Sequence, residues 1–370
     1  MKKVISIALA LLMVAVMLPV MAMAEGTTLQ SRIDAGETTI TLTENVTESI
    51  TIPAGKTVTL NLNGNTLTNE ADKDTITVAL GGTLTIEGTG TVDNDSHGRA
   101  AVYNNGTVTI NGGTYTRSAE KGTGKDPDSN NGNSWYTICN HGVMTVNAGV
   151  TVTNTGTFSS VFENGYQSYT GNNERSNYVA GTNNAAPALT INGGTFEGGK
   201  ITIKNDDGGI LKIGGGRFTN NGNRVVFNAN KAEINGGEFY CPATYFGNEI
   251  AVDTLYADGG QNAGQLTITG GTFDGKVTQS NGAVTTVSGG TFKKGVDKSY
   301  IVDGKKLDAN GNVVPDTITI IVPSEGGSTT TTPSTDNTKN PSTGANDFVG
   351  VAAAMAVVSL LGAAAVIRKK

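Results

Sequence analysis

Between Glu37 and Val322 no stretch sustains a 3.6-residue apolar period; short alternating runs recur instead, such as Thr57–Leu62 (TVTLNL) and Gly106–Ile110 (GTVTI). Alternation at period two is the mark of half-buried strands. One phrase returns in altered form: LTINGGTF from Leu189, VTINGGTY from Val108, LKIGGGRF from Leu211, AEINGGEF from Ala232, LTITGGTF from Leu266 and TTVSGGTF from Thr285. The aliphatic residue that ends each strand falls at Ile86, Ile110, Val146, Ile191, Ile213, Ile234, Ile268 and Val287, at intervals of 24, 36, 45, 22, 21, 34 and 19 residues. Most of these intervals are too short for separate domains, so each unit is one turn of a larger object.

Leu189 and Ile191 are two apart and share one side of a strand, with Thr190 on the other; Leu84 with Ile86, Val108 with Ile110, Met144 with Val146, Leu211 with Ile213 and Leu266 with Ile268 repeat the pair. The following Gly-Gly suits a sharp corner, after which a Phe or Tyr points inward again. Stacking such coils places Leu on Leu, and brings Phe196 near Phe218, Phe239 and Tyr115. The expected fold is all-β, a parallel β-helix. Its coil length of 19–24 residues where uninterrupted, and the opening segment Ile50–Thr68 (ITIPAGKTVTLNLNGNTLT), resemble the right-handed, pectate-lyase-like family found in bacterial surface proteins. Strands near Ile40 and Leu60 bring the count to about ten coils, a stack of roughly 45 Å at strand spacing. An amphipathic helix with Leu29 and Ile33 on one face is expected to cover the first coil, within a β-helix domain over residues 25–299. A C-terminal β cap over residues 300–322 carries a hairpin at Asn310 and Gly311.

The ends carry different signals. Lys2 and Lys3, an apolar run from Val4 to Val20 and small residues up to Ala24 form a signal peptide over residues 1–24, cut before Glu25. Residues 323–339 are rich in Ser, Thr, Pro and Gly and read as an extended stalk. Residues 340–370 begin with Asn340, Pro341, Ser342, Thr343 and Gly344, continue through a charge-free span at 348–367, long enough to cross a bilayer, and end in Arg368, Lys369 and Lys370. Pentapeptide, apolar span and basic tail together resemble the sorting signal of Gram-positive, sortase-anchored surface proteins, in the Asn-Pro-x-Thr-Gly form. That resemblance implies sortase as processing partner, cleavage between Thr343 and Gly344, and covalent attachment of Thr343 to peptidoglycan. The implied location is extracellular, on the cell wall.

Charge and chemistry narrow the function. Removal of both processed ends takes the formal charge from −6 to about −10, which argues against nucleic acid as a partner. Cys139 and Cys241, the only cysteines, fall several coils apart and are expected as two buried thiols. Three insertions, Arg117–Tyr136, Phe158–Pro187 and Tyr240–Gly264, interrupt the repeat and, leaving at equivalent corners, are expected on one side of the stack. They hold Trp135, Tyr136, Tyr166, Tyr169, Tyr178, Tyr245 and Tyr256, a candidate surface for a host or dietary glycan or a surface protein; the same rings could instead fold back over the sheet they cross. Asp126, Asp128 and Asn130 echo a calcium loop, but its glycine comes one place late and Thr137 stands where the bidentate glutamate belongs, so no metal and no cofactor are expected. Asp206 and Asp207 are the only adjacent aspartates of the coil region and read as a turn of solvated acids. Outward threonine pairs such as Thr57 with Thr59 echo ice-binding solenoids, but Lys212 and Glu233 interrupt that face. Non-catalytic adhesion or glycan binding is the expected function, with no catalytic residues assigned; a polysaccharide lyase or glycoside hydrolase on the same scaffold, and a passive surface spacer, are the alternatives. Intact-mass measurement of the exported chain is expected to find Glu25 at its amino terminus; a mass retaining residues 1–24 would contradict the leader.

Overall fold

The computed structural model describes residues 27–118, 135–154, 160–165, 187–206, 208–242, 247–255, 264–280 and 282–316. They form a parallel β-solenoid of three long sheets. Each level contributes a strand to the first sheet, turns at a glycine corner into the second, and turns again into the third before rising one level. The first sheet has ten strands, from Thr39–Thr41 to Val284–Val287, and the second also ten, from Val46–Thr47 to Thr291–Phe292. The third has nine, from Ile50–Ile52 to Lys276–Gln279. All pairings within these sheets are parallel, with one register shift in the third sheet, between Ile250 and Val252 against Lys276 and Val277; in the first sheet Leu189 lies on Leu211 and Ile191 on Ile213, as the repeat predicts.

The doubled glycine has two separate causes, seen at Gly236 and Gly237. A Cβ on Gly236 would stand 2.4 Å from the carbonyl oxygen of Gly214 one level below, which no side chain tolerates. Gly237 has φ of 99°, where an L side chain is strained. The chain then delivers an inward ring at each of the last five levels of the second sheet, where the first three levels carry Val46, Leu67 and Val92. Phe196, Phe218, Phe239, Phe273 and Phe292 stack face on face with centroids 4.8–4.9 Å apart and planes within 9°. Tyr115 joins the same ladder two levels from Phe196, with Val152 between them.

A second ladder fills the corner between the third and first sheets. The Asn104 amide donates to Asn140 Oδ1, Asn140 to Asn164, Asn164 to Asn205 and Asn205 to Asn228, at 2.7–2.8 Å. Each of these side chains also donates to a carbonyl of the first-sheet strand two levels on, for example Asn164 to Ile210 at 3.1 Å. All five are fully buried, and mutual pairing is what makes that burial affordable.

Both ends of the stack are closed. The helix Leu29–Asp34 buries Leu29 and Ile33 against the first level, and Gln30 completes the third-sheet edge by accepting from the Thr51 amide at 2.7 Å and donating to its carbonyl at 3.2 Å. At the other end the antiparallel hairpin of Lys305–Leu307 and Val313–Pro315 lies on the last second-sheet strand, with Phe292 N donating to Gly311 O and Val313 N to Gly290 O. Unpaired strand edges invite association, and these contacts cover them.

The insertions depart from the expected plan. Segments 117–135 and 241–249 leave the corner between the second and third sheets, whereas 165–187 and 255–264 leave the corner between the third and first. Strands Ser160–Asn164 and Ile250–Thr254, inside two of the expected insertions, are third-sheet strands. Insertions therefore border the third sheet on both flanks instead of emerging at one corner. The ring stack sets a stability prediction: Phe239→Ala, losing a fully enclosed ring with neighbours on both faces, is expected to cost about 3–5 kcal/mol in urea unfolding followed by circular dichroism. A loss under about 1 kcal/mol would contradict the stack.

Candidate functional site

The third sheet differs from the other two in what it presents outward. In most of its strands two adjacent residues enter the core, such as Val161 with Phe162, Val225 with Val226 and Ala251 with Val252. The next residue then points away from the core. This gives one outward ladder of Tyr103, Cys139, Glu163, Lys204, Phe227, Asp253 and Thr278. Outward residues of a solenoid are ordinarily solvated, but here Glu163 is 4% exposed, Lys204 6% and Asp253 7%.

Burial of charge demands a local partner, and each group has one. Lys204 Nζ lies 2.6 Å from Asp206 Oδ2 and donates to the Tyr136 hydroxyl at 3.1 Å. The same ammonium sits 5.6 Å from the Tyr136 ring centroid and 5.8 Å from that of Phe227, within cation–π range. Arg224 pairs with Asp253 and lies 5.7 Å from the Phe227 ring centroid; Thr278 donates to the other Asp253 oxygen at 2.7 Å. Glu163 Oε2 is 3.7 Å from His141 Nε2, and the His141 ring meets Tyr103 edge-on at 5.1 Å. Burial, with Arg224 and Lys204 adding their charges, pulls Lys200 below the usual lysine range. Burial and the neighbouring Glu163 carboxylate push the Cys139 thiol well up, and burial raises Cys241 to about 11. Both thiols are free and buried, as expected, and their raised values disfavour the thiolate that nucleophilic chemistry needs.

Of the candidate ligand aromatics, Trp135 and Tyr136 are described. Tyr136 is 5% exposed and packs with Ala100 and Cys139, while Trp135 and Tyr103 are partly buried against that cluster; the Tyr136 ring faces the sheet. Tyr166, Tyr169, Tyr178, Tyr245 and Tyr256 lie outside the described residues, as do Asp126, Asp128, Asn130, Asp207, the leader, the stalk and the sorting signal with its span at 348–367. Among the described residues no group of three or more His, Cys, Asp or Glu is arranged to hold a metal ion, and no helix is long and apolar enough to cross a membrane. Asp206 corrects an expectation: it is 1% exposed and ion-paired, not solvated, because Lys204 two residues earlier points to the same side. Sequence reading passed over Glu163, Lys204, Arg224 and Asp253. Their signal was a charge embedded in an otherwise apolar strand, as in ITIKN and IAVDT.

Comparison of the chain with protein-family models, with curated proteins and with solved structures returns no match.

The paired cluster sets its own test. Replacing Lys204 by Met leaves Asp206 charged and buried, and is expected to lower stability by about 3 kcal/mol or more; adding Asp206→Leu should recover most of that loss. Equal stability of the single and double variants in denaturant titration would contradict the pairing.

Proposed function

We propose that this chain is an exported, cell-wall-anchored surface protein whose solenoid binds glycans for adhesion and carries no catalysis of its own. The solenoid is read as right-handed, in keeping with its resemblance to the pectate-lyase-like family. The observation that carries the non-catalytic reading is the internal matching of charge on the third sheet. Glycoside hydrolysis sets two carboxylates around a scissile bond, one ionised and one protonated. Glu163, Asp206 and Asp253 each face a basic group instead, so their role is to hold the sheet and the ends of the insertions together.

The first-sheet face offers hydroxyls for hydrogen bonding. Thr39, Thr59, Thr85, Thr109, Thr145 and Thr190 form one outward file over six successive levels of the first sheet. Hydroxyls in fixed register suit polymers that are themselves periodic and hydroxylated. The leader before Glu25, the stalk and the pentapeptide Asn340–Gly344 support presentation outside the cell, with sortase joining Thr343 to peptidoglycan and the stalk giving reach.

Expression in a Gram-positive host tests both halves. The chain is expected in the covalent wall fraction, and Thr343→Ala should shift it to the membrane and medium. Wild-type protein should be retained on a glycan array and release no unsaturated or reducing sugar from pectin or host glycans. Unchanged wall attachment of Thr343→Ala would overturn the anchor, and product release would overturn the non-catalytic reading.

A further inference from the structure

The doubled glycines leave a mark on the surface. Over four successive levels, the corner between the first and second sheets shows bare backbone at Gly216, Gly237, Gly271 and Gly290, where any side chain would be strained or would clash. This bare strip is the floor of a shallow, wide-open trench. One wall is the outward file Arg217, Glu238, Thr272 and Thr291, held in register by strand pairing. The C-terminal cap closes the end of the trench with Asn312, whose Oδ1 accepts from Thr291 Oγ1 at 2.7 Å. Three level steps make it about 14 Å long.

Two features of the trench select its occupant. The backbone amides along the wall are already engaged in the ladder: Arg217 N donates to Gly194 O, Glu238 N to Gly216 O, Thr272 N to Gly237 O and Thr291 N to Gly271 O, at 2.8–2.9 Å. An extended peptide binds such a surface by adding a strand to a free edge, and no edge is free here. The side chains, by contrast, are exposed or half-exposed hydroxyl, carboxylate and guanidinium groups, suited to the vicinal hydroxyls of sugars. Arg217 and Glu238 stand at adjacent levels, so their charges cancel locally. A polyanion gains little from that pair and is repelled by the net negative chain.

We propose that this trench is the glycan-binding site and that it takes an unbranched, uncharged oligosaccharide laid along the stack. The proposal rests on the glycan-binding reading above and adds where the sugar lies and of what charge class it is. Flat sugar faces rest on the glycine floor; hydroxyls bond to Arg217, Glu238 and the threonines. The trench is wide enough because glycine is obligatory at the corner, so the fold itself maintains the site.

The test is calorimetry and array binding with the purified full chain against gluco-, manno- and xylo-oligosaccharides, with polygalacturonate and heparin as acidic comparators. Two variants are compared: Arg217→Ala with Glu238→Ala, which leaves net charge unchanged, and Thr272→Trp, which fills the trench. Thermal melts of both variants confirm an intact fold. Neutral oligosaccharides are expected to bind the wild type and to lose about tenfold or more in affinity in both variants. Neutral-glycan binding that survives both substitutions overturns the trench while the glycan reading stands. Binding of acidic glycans alone overturns the charge class, and no binding by the wild type to any glycan overturns the glycan reading together with the site.

Discussion

The contact on which the structure depends is the approach of one level's backbone to the next at the glycine corner. At Gly270 a Cβ would stand 2.4 Å from the Asn235 carbonyl oxygen, and at Gly289 it would stand 2.1 Å from that of Thr269. Only a residue without a side chain lets the corners nest this closely, and nested corners hold the first- and second-sheet strands that flank them in register with those below. Register then converts a repeated residue into a continuous feature. Phenylalanine becomes a stack with 4.8–4.9 Å spacing, asparagine a chain of buried amides, and threonine an outward file. Each side chain contributes a modest contact, but the contacts are copied over five or six successive levels and add between neighbours.

How much of this could be read in the residues depended on whether the signal was local. The alternation Leu189-Thr190-Ile191, the glycine pair and Phe196 specify a corner and two inward faces within eight residues, so the first and second sheets, the level count and the ring stack were all legible. So were the helix over the first level, from the spacing of Leu29 and Ile33, and the closing hairpin around Asn310 and Gly311. The third sheet was not. Its strands place two consecutive residues in the core, as at Val225 and Val226, which breaks the period-two pattern. Apart from Lys204 with Asp206, its polar residues meet partners distant in sequence, such as Tyr136 for Lys204 and Asp253 for Arg224. The asparagine ladder escaped for the same reason: Asn104, Asn140, Asn164, Asn205 and Asn228 sit in turn-like contexts where asparagine is ordinary, and only stacking shows that they bond to one another.

The arrangement divides labour between the faces. The third sheet places charge where water is largely excluded and partners it group by group. Buried pairs of this kind add little net stability, but removing one partner is costly, so they fix which partners meet. Insertions leave from both flanks of that sheet, and matched pairs along it tie their points of departure. The first and second sheets remain regular and open, with hydroxyls in file and a glycine-floored trench at their shared corner. In the proposed role at the cell wall, these rigid, preformed surfaces would lose little conformational entropy on binding a glycan.

Strand register carried through every level, whatever the length of chain between levels, is the central claim, and distances between spin labels measure it directly. Thr59, Thr190 and Thr267 lie in one outward file at the second, sixth and ninth levels. With the two native cysteines replaced, electron–electron resonance on Cys-labelled pairs should give about 19 Å between positions 59 and 190 and about 14 Å between 190 and 267, following level count at about 4.8 Å per step. The sequence separations, 131 and 77 positions, should leave no imprint. Distances that do not rise in proportion to level number would contradict the stacked register and, with it, every surface derived from it.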